Sequence, residues 1–209
     1  MKHLVIVGAG EFGRELYWTI QGSVGYGKEY DIKGYIDDDD NEEKIKLLSA
    51  PFLGKIDQYS IEIEDVFTCA IANPNPRELV INKLLKRNAE FISIIHSTSI
   101  IHGNVKLGEG IVVSPYTVIG DSSVIGNYIV LNGFSSIGHD SMIGDFSCIM
   151  SHCDITGHSQ IGRKAFLAGG VRTVPGAKIG DGAYAGSGSV ILRRVKPGIK
   201  VFGNPAKEI

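Results

Sequence analysis

Residues 135–146 read Ser-Ser-Ile-Gly-His-Asp-Ser-Met-Ile-Gly-Asp-Phe, so that His139 is followed directly by the carboxylate of Asp140. An imidazole titrating at its usual value of about 6.5 takes a proton close to neutral pH. A carboxylate beside it can fix the tautomer and raise the basicity. Such a pair suits removal of a proton from an amine or hydroxyl as it attacks an acyl donor. A solvated His–Asp pair on a surface corner accounts for the same two residues without chemistry.

A second candidate lies near the start of the chain. Gly8, Gly10 and Gly13 follow an apolar run and open an amphipathic one, as a strand feeding a helix would. The free amides of a helix N-terminus attract phosphate. Asp37 and Asp38 follow the next apolar run, where an acidic residue can grip a ribose or a base. A dinucleotide fold has two such halves, and residues 1–94 supply one. A mononucleotide, and hence a nucleotide-linked sugar, is favoured over NAD.

These residues need elements to hold them. Residues 1–94 alternate predicted strands (3–8, 32–37, 66–72 and 91–95) with helices (12–22 and 76–88). The acidic run 37–44 reads as a solvated loop. Alternation of this kind predicts an α/β, Rossmann-like half domain with a small parallel sheet.

From residue 95 the pattern changes. Aliphatic residues recur every sixth position from Ile95 to Ile191, interrupted only at Thr173 and Ala185. Four positions after each marker stands a small or β-branched residue, such as Ser135 or Ser141, and one position after it there is often a glycine, which accepts turn dihedrals. This is the hexapeptide signature of an all-β parallel β-helix over residues 95–209. Three hexapeptides close a triangular coil of 18 residues, so residues 101–196 give about five coils. Ile137 and Ile143 then point inward, leaving His139 and Asp140 for an outer corner. A zinc site of the kind found in some hexapeptide hydratases needs three ligands. His139, His152 and His158 are not spaced at multiples of 18 and do not share a column, so no metal ligands are assigned.

The bulk composition narrows the function classes. The 209 residues carry a net charge of -2, too little positive field to hold a polyphosphate backbone, so nucleic acid is excluded as a partner. The 27 glycines exceed the roughly 7% of average usage, as the coil turns require. Cys69, Cys148 and Cys153 match no metal or redox spacing and read as free buried thiols. The apolar run at residues 4–7 is too short for a signal peptide, and no run reaches the length of a membrane helix. A cytoplasmic protein without membrane partners is expected.

The combination of Val7-Gly-Ala-Gly-Glu-Phe-Gly-Arg-Glu15, the Tyr-Ile-Asp-Asp-Asp-Asp run at 35–40, uninterrupted hexapeptides bearing Gly138-His-Asp-Ser-Met-Ile-Gly-Asp-Phe146 and the closing Val201–Ile209 resembles the sialic acid O-acetyltransferase and UDP-amino-sugar N-acetyltransferase family. The resemblance implies a left-handed β-helix and a homotrimer. It also implies acetyl-CoA as co-substrate in the groove between neighbouring prisms, and a role in polysaccharide biosynthesis. It places the catalytic base at His139, its acid partner at Asp140 and an acceptor-orienting asparagine at Asn132. Coenzyme contacts fall on Cys148, Gly169 and Ser187. Contacts to the nucleotide sugar fall on Gly10, Glu11, Phe12, Asp37, Asp38 and Ala72. Three positions depart from the family pattern: Cys148 stands where a histidine is usual, Glu11–Phe12 where a Gly-His pair is common, and Ala72 where a glycine is. The expected reaction is N-acetylation of a UDP-linked amino-deoxy-sugar. The alternative is O-acetylation of sialic acid or another surface-glycan sugar.

Overall fold

A computed structural model describes all 209 residues. The N-terminal unit is a four-stranded parallel sheet in the order β3-β2-β1-β4, formed by β1 (Lys2–Val7), β2 (Tyr30–Ile36), β3 (Phe52–Gly54) and β4 (Asp65–Cys69). Two longer helices complete it, α1 (Glu11–Gln21) and, after the short α2 (Glu42–Ile45), α3 (Pro74–Leu85). The apolar spacing of α1 buries Leu16 and Ile20.

Three expectations for this unit are revised. Its fourth strand is β3, a three-residue segment too short to show a period. Residues 91–95 do not supply that strand: Phe91 makes one isolated bridge to Phe67, and Ile94–Ile95 already belongs to the prism. The acidic run is also not wholly loop, because the Asn41 carboxamide accepts the amides of Glu43 and Lys44 and starts α2.

The remainder is a three-faced parallel β-helix of mostly two-residue strands, with six, six and seven strands on its faces, the last face extended by Lys207–Glu208 pairing antiparallel to Lys200–Phe202. Partners lie 18 residues apart, as in Ile125↔Ile143↔Ile161. Two faces carry six rungs rather than about five, and their strands all fall within residues 100–195, because sixteen hexapeptides over three faces leave a part-coil beyond five. The every-sixth aliphatic residues fill the axis, and the small residues four positions on are fully buried beside them, among them Ser135 at 1% and Ser141 at 0% exposure. Those serines donate to carbonyls, Ser135 to Met150 and Ser141 to Thr156, so their burial leaves no orphan hydroxyl.

The glycines do a different task from the one expected. Gly138 and Gly144 have ordinary φ, and a Cβ on Gly138 would stand 2.4 Å from the amide of Gly157 on the next rung. They are there for close stacking. The left-handed turn residue is three positions after each marker and is often not glycine: Tyr116, Phe134, Asp140, His152 and His158 all have φ between 55° and 62°. A positive-φ backbone repeated along each corner presents these side chains in columns.

The two units share a core. Ile94, Val112, Val130 and Cys148, the first residues of successive strands on one prism face, pack against Leu4, Ile6, Leu16 and Ile20. Buried Arg77 of α3 adds a polar link, donating to the carbonyls of Ile71 and Ala72 and across to those of Phe146 and Ser147.

Candidate active site

His139 sits two positions after the inward Ile137 and Asp140 three after it, so both occupy an outer corner. The left-handed φ of Asp140 (56°) swings its carboxylate back to its neighbour, and His139 Nδ1 lies 2.7 Å from Asp140 Oδ2. With Nδ1 donating to the carboxylate, Nε2 carries the free lone pair. That far side of the ring lies over bare backbone at Gly157, where a Cβ would come within 2.7 Å of Nε2. The His139 side chain is 62% exposed, which leaves it open to a substrate.

The next rung adds His158. It lies one coil below Asp140 in the same left-handed column, and its amide donates to the His139 carbonyl. Its ring meets that of His139 edge-on at 5.0 Å between centroids, and its Nδ1 is 4.0 Å from Asp140 Oδ2. His139 and His158 stand in different columns, as their spacing requires, yet their side chains meet across adjacent corner positions. A spacing of 19 is a diagonal step between adjacent corner positions, which counting in 18s overlooks.

Asn132 does not join this corner within one chain. It is buried at the preceding corner, where its side-chain oxygen accepts the Gly133 amide and it lines a cleft of about 330 Å³ with Glu15, Trp18, His96 and Phe134. A ladder of exposed aromatic rings runs down that corner, Tyr116 on Phe134 at 5.0 Å and Phe134 on His152 at 5.1 Å. Gly169 and Ser187 stand at the same corner on later rungs, with the Gly188 amide donating to Gly169. Cys148 is a correction: its side chain is completely buried beneath the N-terminal unit, and burial raises its thiol above the ordinary range. It cannot touch coenzyme in a groove between prisms.

Of the residues expected to hold a nucleotide, Gly10, Glu11 and Asp37 lie at the C-terminal edge of the parallel sheet. Gly10 begins α1, and Asp37 reaches back to the glycine turn, its Oδ2 accepting the Ala9 amide at 2.7 Å. Asp38 faces elsewhere, accepting the amide of Ile56 at 3.1 Å, so its carboxylate is engaged in structure. Glu11 is exposed, while Phe12 packs partly into the shared core. Arg14 and Lys44 flank Gly10 and Glu11, supplying the positive charge that the sequence pattern alone did not assign. Ala72 lines a cavity of about 590 Å³ between the start of α3 and the prism, together with Lys164, Tyr184 and Lys200. Gly157 and Lys44 were missed because their partners lie a coil, or a whole α/β crossover, away in sequence, whereas Arg14 stands one helical turn after Gly10, a spacing that could have found it.

Residues 3–84 match the family model for the PglD N-terminal domain. GDP-perosamine N-acetyltransferase of Escherichia coli O157:H7 is 30% identical, over 98% of this chain and 95% of that protein. The acetyltransferase domain of PglB from Neisseria gonorrhoeae superposes with a TM-score of 0.90 over the full length of both chains at 22% identity, and shares the fold. A mutant perosamine N-acetyltransferase from Caulobacter crescentus, solved with CoA and GDP-perosamine, does so with a TM-score of 0.89 at 21% identity, over 100% of this chain and 97% of that one. This chain, a parallel β-sheet unit followed by a left-handed β-helix, is an acetyltransferase and belongs to the hexapeptide-repeat sugar acetyltransferase family that includes GDP-perosamine N-acetyltransferase.

Proposed function

We propose that the chain transfers the acetyl group of acetyl-CoA to the amine of a nucleotide-linked amino-deoxy-sugar, with His139 as general base. The observation that carries this is the 2.7 Å contact between His139 Nδ1 and Asp140 Oδ2 on an exposed corner. The amine attacks the thioester carbonyl as Nε2 takes its proton. Asp140 stabilises the resulting imidazolium, and as the tetrahedral intermediate collapses the C–S bond breaks, the leaving thiolate taking the proton from Nε2 to depart as free coenzyme A and restore the neutral imidazole. Backbone amides of the coil corners suit the tetrahedral oxyanion.

Asn132, Gly169 and Ser187 lie on a different corner from His139, so one chain alone does not assemble acceptor, base and coenzyme contacts. A homotrimer, in which the corner bearing Asn132, Gly169 and Ser187 faces the His139 corner of a neighbour, brings them together. Gly10 and Asp37, with Arg14 and Lys44 flanking, hold the nucleotide. The N-terminal unit therefore grips the handle and the prism, from the Ile94–Ile95 strand onward, performs the transfer. No helix is long and apolar enough to cross a membrane.

Glu11 beside the phosphate site favours the second reading, O-acetylation of a sugar without a nucleotide, such as sialic acid. Arg14 and Lys44 offset that charge, which favours the first. The test is acetyl transfer from acetyl-CoA over GDP- and UDP-linked amino sugars and free sialic acid, read by mass. A product acetylated on nitrogen, formed only from a nucleotide-linked acceptor, supports the proposal. Transfer only to a free sugar hydroxyl overturns it in favour of the second reading.

A further inference from the structure

We propose that His139, Asp140 and His158 form a transition-metal site of the zinc class, and that a bound ion switches the enzyme off. One ligand atom from each of the three lies within 4.8 Å of the others. Two imidazoles and one carboxylate are a donor set that zinc, cobalt and nickel favour. Tetrahedral zinc, with bonds of about 2.0–2.2 Å, holds its ligand atoms roughly 3.5 Å apart. The pair His139 Nδ1 and Asp140 Oδ2 is already closer than that at 2.7 Å, and His158 Nδ1 stands 4.0 Å from the same oxygen. All three side chains are between 48% and 64% exposed, so small rotations about their side-chain bonds close the site. The backbone beneath them is fixed, because the His158 amide donates to the His139 carbonyl at 2.9 Å. Three protein ligands leave the fourth position to water, the pattern of an open zinc site.

The three cysteines do not compete for the ion, since all are buried. The ion is no cofactor here. With Nδ1 on the ion, the neutral ring carries its one proton at Nε2, so the nitrogen that would take the acceptor's proton has no free lone pair, and coordinated Asp140 no longer orients His139. Inhibition therefore rests on the acetyl-transfer proposal, whereas binding does not.

The experiment is a zinc titration of the full chain with a chromophoric chelator as competitor, run in parallel with acetyl transfer at buffered zinc concentrations. His158→Asn is the partner variant, because asparagine tolerates the left-handed φ of that corner. A thermal melt of His158→Gly, the residue used at the next position of the column (Gly176), guards against a folding artefact. Wild type is expected to bind one zinc per chain and to lose acetyl transfer as it does so, with recovery on adding EDTA. Both variants are expected to bind at least tenfold more weakly, and whatever metal-free turnover each retains, taken as its own baseline, is expected to be unaffected by zinc at concentrations that silence wild type. Cobalt in wild type should give the visible absorption of a tetrahedral site, and none in His158→Asn. Zinc binding of equal strength in wild type and both variants, or no stoichiometric binding to wild type, overturns the site. Full turnover with zinc bound overturns the switch. The binding arm needs no acceptor sugar, so its outcome is separate from that of the proposed reaction.

Discussion

Two neighbouring corners of the prism share a backbone and differ in the chemistry they display, although each carries a histidine. Both place a residue at positive φ on successive rungs, from Tyr116 on one corner and Ser122 on the other. One displays Tyr116, Phe134 and His152 as a stack of flat rings, with α1 alongside at Trp18. The other displays Asp140 and His158 in its column, with His139 beside them, and is open to solvent. The coil supplies equal slots, and the outward residues decide between an apolar stacking surface and an acid–base centre. Nothing in the inward pattern distinguishes the two corners.

The largest effect should come from breaking what the corners share. Gly138→Val drives side-chain carbon into the backbone of the next rung, which neither flexible side chains nor rotamers can relieve. It should prevent folding, seen as loss of the cooperative melt. Gly176→Asn, in the Asp140–His158 column, meets open space and a φ of 73° that asparagine tolerates, and should melt within about 1 kcal/mol of wild type. Equal behaviour of the two variants would show that dihedrals, not rung spacing, place the glycines.

Gly157→Ala sharpens the chemical corner alone. Its new Cβ meets the His139 ring rather than backbone, so the ring shifts and the coil survives. Turnover should fall roughly 100-fold, the usual penalty for an ångström of misplacement, at a nearly unchanged melting temperature. Phe134→Ala tests the aromatic corner. It removes two stacked contacts and should cost about 1–3 kcal/mol in a melt, with His139 chemistry affected only through assembly.

The smallest effect concerns the thiols. Burial pushes Cys69 and Cys153 from an ordinary 9.0 to about 11. Unfolded chains lose those protons first as pH rises, so the unfolded state binds fewer protons and stability falls between pH 9 and about 11. At pH 8 iodoacetamide should label none of the three cysteines in the native protein and all three after denaturation.

Much of this architecture was legible in the order of residues. The period of six fixed the prism and its inward contents because every coil repeats the same packing problem. His139 and Asp140 were visible because they are adjacent, and their contact needs only one turn. His158 was visible as a residue, but its contact with His139, like that of Gly157, was not, because both depend on how adjacent coils stack. Cys148 was misplaced for another reason. Whether an outward position meets solvent or a second unit depends on how the two units dock, and Ile94, Val112 and Val130 reveal that face only once the columns are aligned. The strand at Phe52–Gly54 escaped because three residues carry no period.

The central claim is that the His139 imidazole removes the acceptor's proton. Its most direct test is the kcat of His139→Ala at saturating acetyl-CoA and acceptor, beside its melting temperature. The account predicts a loss of about 10²–10⁴-fold with the melt unchanged, the usual worth of a general base. Turnover equal to wild type would contradict it.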